Sequence, residues 1–137
     1  MTTIVDSVCW SIAFRRRPDQ LSQAQRAIAL TVRDLIRGRQ TVMLGPVRQE
    51  VLSGFRSDHR FGELRDQLRA FEDEPLFRDD YELAADFANR CRRAGVSPGV
   101  IDVLVCAVAT RLDAAVLTAD QDFVRYADVL GVRLASP

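Results

Sequence analysis

Thr3-Ile4-Val5-Asp6-Ser7 is a short apolar run that arrives at a carboxylate, and a helical pattern carrying Val8, Trp10, Ile12 and Phe14 follows at once. The first strand of an α/β protein is usually buried on both faces, and ligands gather beyond the carboxyl ends of parallel strands. Asp6 is then expected at the mouth of a crevice. Taken alone, it is more simply an acid capping the following helix. Carboxylates further along the chain shift that balance.

The chain's 137 residues, 47% of them hydrophobic, suit one domain spanning residues 1–137 with a real core. No run of about 18 apolar residues predicts a membrane span, and no charged-then-apolar leader precedes Asp6. Cys9, Cys91 and Cys106 are odd in number and scattered, which predicts buried, reduced thiols and a cytoplasmic protein. All nineteen basic residues are Arg, most simply a habit of a GC-rich genome. The absence of Lys still removes Schiff-base chemistry and the P-loop NTPases. The lone histidine, His59, excludes a histidine-cluster metal site and argues against a Ser–His–Asp triad. Carboxylates and arginines are what remain for chemistry.

Arg15-Arg16-Arg17-Pro18-Asp19 reads as an exposed loop ended by proline, with phosphate binding open as a second role. Apolar residues at 21, 24, 28, 32, 35 and 36 predict an amphipathic helix from Leu21 to Arg37, stopped by Gly38. Thr41-Val42-Met43-Leu44 predicts a second strand closed by Gly45-Pro46. Pro46 opens a helix whose stripe is Val47, Val51, Leu52 and Phe55, with Glu50 at its edge. Gly54 suggests a close approach by another element. A further helix is expected over Asp58 to Phe71, with His59 on the surface. Pro75-Leu76-Phe77 reads as an extended link or edge strand, and Tyr81 to Ala94 as a helix finished by Gly95. After Ser97-Pro98-Gly99, residues Val100 to Ala109 are apolar nearly all round, which predicts a buried helix whose one charge is Asp102. Ala115 to Thr118 predicts a strand leading into Asp120-Gln121-Asp122, followed by a short helix (Val124 to Leu130) and a last strand around Val132 to Leu134. Strands alternating with helices predict an α/β sandwich around a mainly parallel sheet.

Four acids share one structural address. Asp6 ends the first strand, Glu50 lies on the helix after the second, Asp102 opens the buried helix and Asp120 follows the third strand. In a parallel sheet these positions fall at one edge. Carboxylates gathered without Lys or His repel one another and raise each other's pKa. A divalent cation relieves this, and hard oxygen ligands suit Mg²⁺ or Mn²⁺. The competing reading is four separate caps and surface charges.

Four motifs in order resemble PIN-domain ribonucleases, specifically VapC-type toxins of bacterial toxin–antitoxin pairs. They are Val5-Asp6-Ser7-Val8-Cys9-Trp10, Gly45-Pro46-Val47-Arg48-Gln49-Glu50-Val51-Leu52-Ser53-Gly54, Asp102-Val103-Leu104-Val105-Cys106-Ala107-Val108-Ala109 and Thr118-Ala119-Asp120-Gln121-Asp122-Phe123. The resemblance spans essentially the whole chain and implies a PIN-like α/β/α sandwich. It implies that Asp6, Glu50, Asp102 and Asp120 form a catalytic, metal-binding pocket. Asp122 matches an acid that is a ligand in some members and an outer partner in others, and Ser7 and Thr118 match hydroxyls that orient acids or waters. The implied activity is Mg²⁺- or Mn²⁺-dependent cleavage of tRNA or rRNA, with a VapB-like antitoxin covering the groove and a homodimer as the assembly. A PIN nuclease of RNA processing outside any toxin pair is the nearest alternative. A Mg²⁺-binding regulatory α/β domain, such as a phospho-receiver, is disfavoured by the missing Lys. A purely interacting module without chemistry completes the alternatives.

Overall fold

A computed structural model describes residues 2–137 and has an α/β/α architecture. Strands β1 (Thr3–Val5), β2 (Thr41–Val42) and β3 (Ala115–Leu117) form a parallel sheet in the order β2-β1-β3. Thr3 stands in register with Thr41 on one side and Ala115 on the other. Parallel neighbours need crossovers, and helices supply them. Helices α1 (Ser7–Phe14) and α2 (Gln23–Arg37) join β1 to β2. Helices α3 (Gly45–Leu52), α4 (Asp58–Leu68), α5 (Arg78–Arg93) and α6 (Val100–Leu112) lead to β3, and α7 (Asp122–Leu130) follows it. On one side α1 packs with α2 and α3; on the other α5, α6 and α7 pack together, with α6 also against β1 and β3.

Every residue of β1 and β3 is buried, so their apolar runs serve both faces of the sheet. Helix α6 buries Val103 through Ala109 without interruption, as its all-round apolar pattern demands. Its two ends emerge: Val100 is exposed and Asp102 half-buried at the start, and Thr110 and Arg111 are exposed at the finish. Because α6 feeds β3 through Asp113 and Ala114 alone, it runs antiparallel to that strand. Its N-terminus therefore returns to the carboxyl edge of the sheet, where Asp6 also lies. Ser22 caps α2 in a reciprocal box with Gln25, and Ser57 caps α4. Cys9, Cys91 and Cys106 are all buried and unbridged. Among the described residues, no helix is long and apolar enough to cross a membrane.

Several expectations are corrected. Val8 does not join the buried face of α1: that face is Cys9, Trp10 and Ile12, and Val8 lines an open groove beside Ser7, Ser11 and Glu50. Helix α2 begins at Gln23, leaving Ala24 exposed while Leu21 is buried ahead of the cap. Gly38 ends it without a left-handed turn, and the positive φ falls on Arg39 instead. Gly54 lies beyond α3 at φ +87 with open space around it, so the turn requires glycine there and no close approach does. The pairing assigned to Pro75–Phe77 is made by Asp73, which bridges Met43, since proline cannot donate to a ladder. The last strand reduces to one bridge between Val116 and Leu134.

Two arginines hold the segment ahead of α5. Arg48 reaches Asp73 at 2.9 Å, the Leu68 carbonyl at 3.0 Å and the Phe71 carbonyl. Arg111 donates to Asp80 at 2.8 Å, Glu74 at 3.2 Å and the Pro75 carbonyl at 3.1 Å. Burial alone would raise the pKa of Asp80, but Arg111 and the Phe77 amide hold it below the ordinary carboxylate value.

Candidate active site

Asp6 is the deepest acid of the site, only 4% exposed. It does cap α1, its Oδ1 accepting the Ser7 amide at 2.8 Å, so the simple reading of this residue is correct as far as it goes. Its other oxygen has a different use. Thr118 Oγ1, just past β3, donates to Asp6 Oδ2 at 3.0 Å and accepts the Asp120 amide at 3.0 Å. Asp120 Oδ1 in turn accepts the Asp122 amide at 2.9 Å, fixing the turn into α7. One hydroxyl thereby ties the ends of β1 and β3 together.

Glu50 projects from the second turn of α3, on its exposed side, and the Ser7 hydroxyl hydrogen-bonds to it. Asp102 sits in the first turn of α6, where Tyr126 Oη contacts its Oδ2 at 3.3 Å. That hydroxyl, on a side chain only 1% exposed, also accepts the Gly99 amide at 3.2 Å and lies 3.2 Å from the Ser97 carbonyl. Gly99 is part of the same arrangement for a steric reason. A Cβ built there would come within 2.5 Å of Asp102 Oδ2, so glycine leaves the space in which the carboxylate folds back.

The electrostatics link these acids. Burial raises the pKa of Asp6, the Ser7 and Thr118 hydrogen bonds oppose the rise, and the charge of Asp120 adds to it. Glu50 is also raised, by partial burial and by Asp6, against the Ser7 bond. Asp102 is pushed up to about 6, first by burial, then by Asp6, with Asp120 and Glu50 adding and Tyr126 opposing. Asp102 thus lies in the field of the other three acids, and Asp6 in turn acts on Glu50 and feels Asp120. Among the described residues, ion pairs engage Asp34, Asp73, Asp80, Asp86 and Asp113, among others, but none engages Asp6, Glu50, Asp102, Asp120 or Asp122. The side chains are not clenched. Among the described residues, no three acidic, histidine or cysteine groups converge closely enough to share one ion as they stand. Mutual repulsion favours that spread. Uncompensated hard-oxygen donors of this kind fit a divalent cation such as Mg²⁺ or Mn²⁺.

Asp6, Thr118 and Asp120 are joined directly, Glu50 through Ser7 and the field of Asp6, and Asp102 through the field alone. Asp122 is exposed at the start of α7 and contributes its amide. Sequence reasoning missed Tyr126 and the steric role of Gly99. An aromatic on an amphipathic helix reads as core, and nothing in its spacing reveals where its hydroxyl goes.

No curated protein matches the chain significantly. Two solved structures share its fold across nearly their full length. One is FitAcB from Neisseria gonorrhoeae, 17% identical with a TM-score of 0.77, covering 99% of this chain and 98% of that one. The other is VapBC2 from Rickettsia felis bound to a DNA fragment from its promoter, 12% identical with a TM-score of 0.70, covering 98% of both chains. The sequence profile of the PIN domain matches residues 4–129, a span that takes in all five acids, and the chain belongs to the PIN domain family.

Proposed function

We propose that this protein is a VapC-type toxin, a Mg²⁺- or Mn²⁺-dependent endoribonuclease that cleaves RNA at the site built by Asp6, Glu50, Asp102 and Asp120. The observation that carries this reading is the gathering of Asp6, Glu50 and Asp102, each raised first by burial and then by its acidic neighbours, around Asp120, with none of the four in an ion pair among the described residues. PIN domains are in general nucleases that use divalent metals, which agrees with that chemistry.

Asp6, Asp102, Asp120 and Glu50 would hold the cation, with Asp122 at the rim. Bound there, Mg²⁺ or Mn²⁺ supplies Lewis-acid activation of water and neutralisation of the phosphate's charge. The chain's own residues do the positioning. Thr118 fixes one oxygen of Asp6 and the backbone of Asp120, Ser7 restrains Glu50, and Tyr126 restrains Asp102. Water attacks phosphorus, the P–O3′ bond breaks, and the products carry a 5′-phosphate and a 3′-hydroxyl.

The similarity to FitAcB and VapBC2 supports an antitoxin of the VapB kind as the partner that covers the site. A homodimer is the assembly implied. Exposed Tyr81 and Val100, beside an apolar hollow of about 270 Å³ between α5 and α6, give a second copy a surface to pack on. The RNA substrate, tRNA or rRNA, and a cytoplasmic location complete the proposal.

The test is cleavage of total RNA with Mn²⁺ by the parent, Asp6→Ala and Asp120→Ala proteins. The parent should cut and both variants should not, while their circular dichroism stays native. Undiminished cleavage by either variant would remove the acidic site from the mechanism.

A further inference from the structure

Beside the acids, on the Glu50 side, a groove of about 370 Å³ runs between α1, α3 and α4. Ser7 and Glu50 belong to both the groove and the acidic site, and the rest of its polar wall is Ser11, Arg15, Arg16 and Arg60. This space is of ligand-pocket size. Three guanidinium groups reach it from two different elements and face a single carboxylate.

Arg15 is held in place before anything binds. Its Nη1 donates to the Val51 carbonyl at 3.3 Å and the Ser53 carbonyl at 3.4 Å, and its guanidinium carbon lies 4.0 Å from the centre of the Phe55 ring. Its other N–H groups make no hydrogen bond within the described residues. A guanidinium fixed by neutral partners keeps its full charge and loses little freedom on meeting an anion. Arg16 and Arg60 are exposed and take part in no ion pair within the described residues, whereas Arg48, Arg78, Arg90, Arg111 and Arg133 are matched with acids. None of the three pairs with Glu50, although they share its groove.

We propose that this groove seats the phosphodiester backbone of single-stranded RNA immediately next to the scissile phosphate, with Arg15 as the fixed contact and Arg16 and Arg60 as the adaptable ones. The inference rests on the endoribonuclease reading of the acids, because that reading places one phosphate at Glu50 and Ser7. Consecutive phosphates then continue into the groove, and guanidinium forks match phosphate oxygens. An acidic protein segment is the competing occupant of such a surface. It lacks the reason for continuity with the acids that a polynucleotide has.

The experiment measures binding of a short, fluorescent, single-stranded oligoribonucleotide of mixed sequence by anisotropy across a salt series. It uses an Asp6→Asn background with Mg²⁺ present, so that RNA survives if the acids are the active site. Arg16→Gln and Arg60→Gln are compared with Arg93→Gln, an exposed position on α5 away from the groove. Each groove variant should bind about 5- to 10-fold more weakly than the control and flatten the log K against log salt slope by about 0.7. In proteins retaining Asp6 with Mn²⁺, the same two variants should raise KM by a similar factor and leave kcat within about twofold, an effect of binding rather than chemistry. Groove variants that match the Arg93→Gln control in affinity and slope would overturn the proposal. So would polyglutamate binding that depends on Arg16 and Arg60 while RNA binding does not. If the groove variants lose RNA affinity but the parent never cleaves RNA, the groove stands as an RNA site and the nuclease reading fails separately.

Discussion

Replacing Asp102 with Asn should produce two opposite effects, loss of activity and gain of stability. The folded Asp102 titrates at about 6, against 3.8 without the folded surroundings. The folded state therefore binds the proton more tightly than the unfolded chain. Stability falls as pH rises through the window from 3.8 to about 6, and the penalty is fully present above it. The rise corresponds to roughly 3 kcal/mol at neutral pH. Asp102 is only half-buried, and screening by the water that still reaches it reduces this to about 1–1.5 kcal/mol. Asparagine keeps a carbonyl oxygen for Tyr126 and carries no charge to repel Asp6, Glu50 and Asp120. In chelator above pH ~7 the variant should melt about 3–5 °C higher than the parent, and the gain should vanish near pH ~4. Millimolar Mn²⁺ should reverse the order, because a cation that binds the native pocket stabilises the parent. Thermal melts across pH, with and without metal, beside an RNA cleavage assay, read all of this. An Asp102→Asn protein that is less stable in chelator and still active would make Asp102 an ordinary helix N-terminal charge and refute the reasoning.

Tyr126→Phe should keep the fold, since the ring stays packed edge-on to Phe123, but should weaken the Mn²⁺-induced rise in Tm by freeing Asp102; an unchanged metal response would show that the hydroxyl does not position that acid. Gly99→Ala places a methyl group 2.5 Å from Asp102 Oδ2 and should cut cleavage by at least tenfold with little loss of stability, which kinetics beside a melt would show. Arg111→Met removes the one cation that pairs with Asp80 among the described residues, an acid 2% exposed, and should cost about 3 kcal/mol in denaturant unfolding. Its cleavage rate per folded molecule should be unchanged.

The parts of the fold legible in the sequence are those where one residue pattern has one physical solution. A three-residue apolar run before Asp6, and another before Thr118, can only be buried strands in a chain whose helices alternate with them. The all-round apolar helix after Gly99 had to lie in the core, and Asp102 had to pay for its place at the end of it. Less legible were features decided by partners distant in sequence. Whether Asp73 or Pro75 meets Met43 depends on how Arg48 and Arg111 hold the connecting loop. Leu134 meets Val116 in a single bridge, and the apolar pattern of Val132 to Leu134 does not reveal how short that pairing is. The acids are legible only as a group, because the strand and helix order puts Asp6, Glu50, Asp102 and Asp120 at one edge of the sheet, whereas Asp6 alone reads as a helix cap. Tyr126 is not legible, because its ring obeys the same apolar pattern as its neighbour Phe123 and only the folded chain shows that its hydroxyl meets Asp102. Arg15 likewise reads as part of a solvated triple, and its contacts with Val51, Ser53 and Phe55 exist only after α1 and α3 have packed.

The central claim is that the carboxylates around Asp6 cleave RNA with a divalent cation. The most direct measurement is sequencing of the RNA ends produced by the purified protein with Mg²⁺ or Mn²⁺, with chelator, and with Asp6→Asn in place of the parent. The account predicts internal cuts bearing 5′-phosphates that require both the metal and Asp6. Cuts that persist in chelator, or that Asp6→Asn makes as efficiently as the parent, would contradict it.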